Sequence, residues 1–256
     1  MEKDLKKGKS VAYIKKYCSY GGTFIIMKKL LLAFFCLAAV GLSALEVFTT
    51  TAEPHYRDWS PFQLGFFPGI PGYVDNSRVM GFKTGWPISS GLDSTVDGFE
   101  ASWFYSGTDT VNGLQTGLFM NISRHIAGFT PAGVLNINTQ DVIGFQASVV
   151  MNQAGDVAGL QASSLNIARD LYGCQLGVIG SIAREANGLQ TGLVTVAQKL
   201  DGFQLAVVNV CGEVEDTFFQ IGLVNVATKE HGIQLGLINV IKDGWFPFLP
   251  IFNVCY

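Results

Sequence analysis

The sequence predicts an all-β repeat protein, a β-solenoid-like stack of about eleven units of about 15 residues each. A ten-residue pattern keeps returning, as in GLQTGLVTVA from Gly188 and GIQLGLINVI from Gly232. Apolar residues alternate with small or polar ones over the first six positions, which is typical of a β-strand. Polar, turn-prone tails such as ATKEHG close the units. The units open at Gly81, Gly98, Gly113, Gly128, Gly144, Gly159, Gly173, Gly188, Gly202, Phe218 and Gly232.

Amides recur at two positions of the unit. When the opening residue is position 0, position 2 is most often glutamine, and an asparagine recurs at position 7 or 8. Equivalent residues of stacked coils lie about 4.8 Å apart, so their amides can hydrogen-bond from coil to coil as ladders. The predicted ladder residues are Gln115, Gln146, Gln161, Gln175, Gln190, Gln204, Gln220 and Gln234, with Asn121, Asn136, Asn152, Asn166, Asn209, Asn225 and Asn239.

Other positions of the unit carry packing signals. Position 1 is apolar in every unit, which predicts a common buried column, and Cys174 stands in it as a small core residue. Position 4 is always Gly, Ala or Ser, which indicates a turn or a close approach of two layers. The adjacent apolar residues Leu223 and Val224 break the alternation. They predict a bend that turns both side chains inward.

The alternative architecture is an antiparallel outer-membrane β-barrel of about 12 strands. Each unit would then be one strand of about ten residues. The end of the chain, 248–256, favours this alternative because its aromatic or apolar residues alternate up to Tyr256. Two features oppose it: the turns do not alternate between short and long, and the asparagine row would face lipid. We therefore favour the solenoid.

The chain ahead of the repeats carries an export signal. A basic start at Met27, an apolar run and a small-residue exit at Ala44 predict a secretory signal peptide. Such a signal normally begins at its basic end, so Met27 is the expected start of translation. The predicted segments are therefore an extension ahead of the true start (1–26), the signal peptide (27–44), an entry and capping segment (45–80), the repeat domain (81–245) and a closing strand (246–256).

Charge divides at the predicted cleavage site. The first 44 residues hold 8 of the 17 Lys and Arg and 2 of the 20 Asp and Glu, so residues 45–256 carry 9 − 18 = −9. This balance disfavours nucleic-acid binding and offers no basic patch for anionic lipid. Acidic residues recur between units, and without a GGxGxDx frame they predict a solvated edge rather than calcium sites: Asp141, Asp156, Asp170, Glu185, Asp201, Glu215 and Glu230.

No residue pattern predicts a catalytic, cofactor or metal site. The three histidines lie in the entry segment and in turns, and HExxH, CxxC, GxSxG and phosphate-loop patterns do not occur. The three cysteines after Ala44 have no pairing motif, which argues against a disulfide framework and a zinc site. We therefore predict that the chain is not an enzyme and needs no cofactor.

The repeat G-x-Q-x-G-[LV]-[VI]-N-V-A resembles the units of the spirochaete-type surface-repeat family. The resemblance includes the flanking stretches FQLGFFP from Phe62 and FLPIFN from Phe248. It implies association with the bacterial surface or outer membrane and no enzymatic role. The expected function is thus that of an exported structural protein or binding scaffold, at the surface, in the outer membrane or in the periplasm, with a protein or glycan as partner. The barrel alternative would be a pore or an anchor.

Overall fold

A computed structural model describes residues 58–67, 70, 72–213, 217–228, 231–244 and 246–255. The chain divides into two units, Met1–Ala44 and Leu45–Tyr256, and all described residues lie in the second. The predictions for residues 1–26 and for the signal peptide therefore fall outside the described residues. The strands are β1 (Asp58–Gly65), β2 (Ser77–Gly85), β3 (Ile88–Ser102), β4 (Tyr105–Gly117), β5 (Met120–Ser123), β6 (His125–Pro131), β7 (Leu135–Asn138), β8 (Asp141–Ala147), β9 (Met151–Gln153), β10 (Asp156–Glu213), β11 (Thr217–Ile221), β12 (Val224–Ala227), β13 (His231–Ile241) and β14 (Phe248–Cys255).

Neighbouring units pair in parallel and in register. Gly81 of β2 lies opposite Gly98 of β3, and Gly144 of β8 lies opposite Gly159 of β10. Paired residues are thus one repeat apart in sequence, so each unit forms one coil that stacks on the preceding coil. This pairing confirms the β-solenoid. The alternative of an antiparallel barrel is wrong, because antiparallel neighbours would reverse this register.

Each coil contains two strand segments separated by a bend. Between the coils that open at Gly202 and Phe218, one ladder pairs β10 with β11 and a second pairs β10 with β12. Leu223 lies in the gap between these ladders, so the predicted bend is present. The predicted orientation is wrong, because Leu223 is 52% exposed. The buried side chain of Asn225 occupies the inside of the bend beside Gly222 at position 4, so the side chain of Leu223 points outward.

The opening glycines are required by the close stacking of coils. Gly144 has a φ of 126°, a backbone conformation that residues with a side chain rarely adopt. A Cβ atom built on it would lie 2.1 Å from the carbonyl oxygen of Gly128 in the preceding coil. The same arrangement recurs at the opening glycines from Gly98 to Gly202.

The buried apolar column lies two residues before the opening position, not one residue after it. This column faces small residues from the second strand segment. The prediction that position 1 is buried is wrong, since Phe203 is 51% exposed and Cys174 is only partly buried. Successive side chains of a strand point to opposite faces, so position 1 must face outward when the glutamine at position 2 faces inward. The observed core column is Val79, Val96, Val111, Ile126, Val142, Val157, Leu171, Ala186 and Leu200, packed with Ala168, Ala183, Ala197, Cys211 and Ala227.

Different segments cover the two ends of the stack. After β1, Val74 is fully buried, and Gln63 Nε2 donates to the carbonyl oxygen of Tyr73 (3.1 Å). At the other end β14 pairs antiparallel with β13, with Asn253 opposite Gln234. No helix within the described part of the chain is long and apolar enough to cross a membrane.

Candidate functional surface

The glutamines at position 2 form a buried hydrogen-bonded column. Gln161 Nε2 donates to Gln146 Oε1 (2.7 Å), and every later glutamine in the column donates to the one in the preceding coil at 2.7–2.9 Å. Seven of the predicted ladder glutamines, from Gln146 to Gln234, therefore form one continuous ladder. Gln115 stands apart because Thr130 occupies the next coil, and Gln115 Oε1 has no hydrogen-bond partner. Its amide donates instead to Glu100 Oε2 (2.9 Å).

The asparagines form a second buried column whose donors point the other way. Asn225 Nδ2 donates to Asn239 Oδ1 (2.7 Å) and to the carbonyl oxygen of Leu235 (2.9 Å), both in the following coil. Asn209 makes the equivalent bonds to Asn225 Oδ1 and to the carbonyl oxygen of Ile221. Each of these amides therefore ties the bend of one coil to the bend of the next. Asn121, Asn136 and Asn152 repeat this arrangement up to Asn166.

The asparagine column is interrupted in two consecutive coils. Ser181 and Thr195 occupy its place, and both are fully buried. Thr195 Oγ1 donates to Asn209 Oδ1 (2.6 Å), which restarts the column. Ser181 donates to the carbonyl oxygen of Thr191 and does not reach Asn166, whose Nδ2 is buried without a hydrogen-bond partner.

A buried ion pair replaces glutamine in two consecutive coils. Lys83 Nζ lies 3.9 Å from Glu100 Oε1, and neither side chain is exposed. Thr108 Oγ1 bridges them, accepting from Lys83 and donating to Glu100 at 2.7 Å each. Ser89 also donates to Glu100 (2.6 Å). Burial lowers the pKa of Lys83, although the charges of Glu100 and Asp75 oppose this shift.

In the sequence, Lys83 and Glu100 are two departures from glutamine at position 2 of the unit. Their opposite charges at the same position of adjacent units were the signal for a pair. Because both side chains are enclosed between coils, the pair holds the coils together and offers nothing to a substrate.

Ion pairs concentrate at one corner of the coil, just before the opening position. We call this corner the charged edge. Arg184 Nη2 contacts Asp170 (2.8 Å) and Arg169 Nη2 contacts Asp156 (2.7 Å), so the edge is mixed in charge rather than simply acidic as predicted. Glu215 and Glu230 lie outside the described residues. The ion pairs at the charged edge are Arg78–Asp97, Arg124–Asp93, Arg124–Asp109, Arg169–Asp156, Arg169–Asp170, Arg184–Asp170 and Lys199–Glu185. His125 Nδ1 also lies within hydrogen-bond distance of Asp141 Oδ2 (3.2 Å).

The described part of this edge contains no metal-ligand cluster, and it carries a small cleft. Across the described ranges, no group of three or more His, Cys, Asp or Glu side chains could hold a metal ion. A cleft lined by Glu185, Asn187, Lys199 and Asp201 has a volume of about 40 Å³. That volume accommodates a water molecule or two.

The opposite corner, where the chain bends at positions 5 and 6, is apolar. We call this corner the apolar ridge. It contains no charged residue in any of the eleven coils. Fourteen of its large side chains project into solvent and are 42–71% exposed. The remaining large ones, Val134, Leu165, Val194, Val208 and Val224, are only partly exposed. The exposed residues of the apolar ridge are Trp86, Trp103, Phe104, Leu118, Phe119, Val149, Val150, Val178, Ile179, Leu193, Val207, Leu223, Leu237 and Ile238.

The outer face of the first strand segment carries stacked aromatic rings at position 1. Phe82 stacks between Phe62 and Phe99, with ring centroids 5.8 and 5.2 Å apart. Phe203 and Phe219 form an equivalent stack near the other end, with centroids 5.0 Å apart. We call the row of outward-facing residues at position 1 of the coils the aromatic face. Phe82 and Phe203 are 37% and 51% exposed, so ring edges and faces remain open to a partner.

Together, the in-register coils, the two amide columns and the exposed apolar surfaces define a parallel β-solenoid repeat protein. No protein-family model matches the chain, and neither a curated protein nor a solved structure matches it. The resemblance to the spirochaete-type surface repeats therefore stays a prediction.

Proposed function

We propose that the chain is a non-enzymatic, exported bacterial repeat protein, associated with the cell surface or the outer membrane, that acts as a binding scaffold. The observation that carries this proposal is the aromatic face. It presents phenylalanine rings in register over successive coils and exposes them to solvent.

The interior supports a scaffold role because its polar groups serve to join the coils. The glutamine and asparagine amides are bonded to neighbouring coils, and the ionisable pair Lys83 and Glu100 is enclosed. A partner would therefore meet the outside of the stack. Repeat stacks commonly bind partners over such extended surfaces.

The aromatic face suits a protein or a glycan as partner. Aromatic rings contribute large apolar contact areas in protein interfaces, and their flat faces can stack against the apolar face of a sugar ring. The negative charge of residues 45–256 argues against a nucleic acid. Export is supported by the signal-like stretch 27–44, and a surface or outer-membrane position by the resemblance described above.

Fractionation of the bacterium that carries the protein tests export and location. We expect a mature chain that starts at Leu45, is recovered with envelope membranes and is cleaved by protease added to intact cells. A chain that stays in the cytoplasm and retains residues 1–44 would contradict the proposal.

A binding assay tests the scaffold role separately. The purified chain is passed over immobilised envelope polysaccharides of the bacterium and over immobilised extracellular-matrix proteins. Phe82→Ser with Phe203→Ser should weaken binding on the order of tenfold, because each removes an exposed ring. Met80→Ser with Ile143→Ser is the matched control, since these exposed apolar residues lie outside the aromatic face. Equal binding by both double variants would exclude the aromatic face as the binding surface.

A further inference from the structure

We infer that the apolar ridge inserts into the surface of a lipid bilayer, so that the solenoid lies on the membrane with its charged edge in water. This inference deepens the proposed membrane association and rests on it. It specifies which part of the molecule contacts lipid and which kind of lipid is sufficient for binding.

The composition of the bends is the first reason. Bends between strands ordinarily carry Gly, Pro, Asn, Asp or Ser, because these residues suit turns and keep the backbone hydrated. Here the same positions carry pairs such as Trp103-Phe104, Leu118-Phe119 and Val178-Ile179. Since nothing in the turn geometry calls for large apolar side chains, their repetition along the stack indicates a non-aqueous environment.

The exposed area is the second reason. A half-exposed aromatic side chain presents about 100 Å² and a half-exposed aliphatic one somewhat less, so the exposed residues of the apolar ridge together present on the order of 1,000 Å². The strip narrows at two coils, where Gly133-Val134 and Ser164-Leu165 are only partly exposed. The largest apolar patch of a typical soluble monomer is about 300–600 Å². With coils about 4.8 Å apart, the strip is about 50 Å long.

The shape and polarity of the strip favour lipid over a second copy of the chain. Protein interfaces contain about one hydrogen bond per 100–200 Å², whereas the side chains of the ridge offer few donors or acceptors, namely the indole N–H groups of Trp86 and Trp103 and the hydroxyl of Ser164. The ridge lies on the outside of a bend and is therefore convex. Two convex ridges would cover each other poorly, while acyl chains conform to a ridge. Trp86 and Trp103 lie at one end, and tryptophan is enriched at membrane interfaces.

The charges predict which lipid is sufficient. No Lys or Arg lies on the apolar ridge, so attraction to anionic headgroups contributes nothing there. Binding should therefore occur on zwitterionic phosphatidylcholine and gain nothing from anionic phosphatidylglycerol.

Tryptophan quenching by brominated lipid tests the contact directly. The full chain is first given Trp59→Phe and Trp245→Phe, so that fluorescence comes from Trp86 and Trp103 on the ridge. Residues 1–44 contain no tryptophan and cannot contribute to this signal. The test variant adds Phe104→Glu and Leu118→Glu beside these reporters. The matched control adds Ala127→Glu and Ala158→Glu, which place the same charge on exposed positions near the charged edge.

We expect brominated phosphatidylcholine vesicles to quench the background protein and the control, and phosphatidylglycerol to add no binding. The ridge variant should partition at least about tenfold less, because it loses two apolar groups and places charge in the acyl layer. Absence of quenching in the background protein, or equal quenching in both variants, would overturn the inference. A concentration-dependent blue shift without lipid, with a dimer in sedimentation, would overturn it in favour of a second copy. Export and envelope location are measured independently, so either proposal can fail without the other.

Discussion

The chain turns at two corners of the coil, the charged edge and the apolar ridge, and the polarity of the exposed and buried residues is reversed between them. At the charged edge, ion pairs such as Arg184–Asp170 face water and an apolar column that includes Leu171 lies beneath them. At the apolar ridge, residues such as Leu193 face outward and the amide columns lie closest to the bend. A buried position in this fold therefore need not be apolar. A buried amide costs little when a neighbour at one fixed spacing satisfies it.

The largest expected effect comes from removing half of the buried ion pair. Glu100→Gln should lower the free energy of unfolding by about 3–5 kcal/mol, because Lys83 is left charged and enclosed. The double variant Lys83→Gln/Glu100→Gln should recover most of this loss, since the two glutamines can form a short ladder with Gln115. Urea unfolding of the three proteins measures both effects. If Glu100→Gln alone unfolds like the unchanged protein, the pair is not enclosed as described.

The same pair predicts a pH dependence. Burial holds the folded-state pKa of Lys83 below its ordinary value of 10.5. Between these two pKa values the unfolded chain binds more protons than the folded chain, so stability rises with pH across that window. The rise should be absent from Lys83→Gln/Glu100→Gln, which has no ionisable group at either position. Urea midpoints measured at a series of alkaline pH values, with the double variant as reference, test the sign.

A matched pair of leucine truncations compares the two corners directly. Leu171→Ala, in the core beneath the charged edge, should cost about 2–5 kcal/mol because it leaves a cavity. Leu237→Ala on the apolar ridge, where the side chain is 64% exposed, should change stability in water by less than about 0.5 kcal/mol. Thermal or urea unfolding without lipid is the measurement. Similar losses in both variants would mean that the ridge is covered within the chain.

A smaller gain should follow from repairing the asparagine column. Ser181→Asn should stabilise the chain by about 0.5–1.5 kcal/mol, because the introduced amide oxygen would accept from Asn166 Nδ2, which has no partner now. Ser164→Asn, which adds an amide on the apolar ridge, is the control and should bring no gain. A destabilised Ser181→Asn would show that the break in the column has no room for an amide.

The smallest effect concerns single ion pairs of the charged edge. Arg184→Ala should reduce stability by less than about 0.5 kcal/mol, and less in high salt, because the Arg184 side chain is half-exposed and water and salt screen its charge. Unfolding at low and high ionic strength measures it. A large, salt-independent loss would indicate that the edge packs more tightly than its exposure suggests.

Repeat spacing and residue pattern were sufficient to predict the stacked coils, the bend at position 5 and the columns containing Gln190 and Asn225. They were not sufficient to predict which apolar residues are buried. Positions 1 and 2 of a strand face opposite sides, so a buried position 1 and an enclosed position 2 were incompatible. Hydrophobicity alone favours Phe203 in the interior of the coil, but the amide ladder requires Gln204 to occupy that place, and Phe203 is exposed. The apolar residue two places before each opening glycine from Gly81 to Gly202, such as Val111, was the overlooked signal for the core.

The break in the asparagine column and the ion pair had weaker signals. Ser181 and Thr195 read as ordinary substitutions within a variable repeat. As a consequence, Asn166 Nδ2 has no hydrogen-bond partner. This depends on whether the side chain in the next coil is long enough to reach Asn166, which the repeat spacing does not show. Lys83 and Glu100 required the parallel register to be known before their charges could be placed next to each other.

A polarity exchange within one coil tests the inverted arrangement most directly. Gln190 is fully buried and bonded to Gln175 and Gln204, whereas Leu193, three residues later, is 53% exposed. In urea unfolding without lipid, Gln190→Leu should lower stability by about 2 kcal/mol or more, because it leaves two buried amide groups unpaired. Leu193→Gln should change stability by less than about 0.5 kcal/mol. The reverse order, with Gln190→Leu tolerated and Leu193→Gln destabilising, would contradict the account.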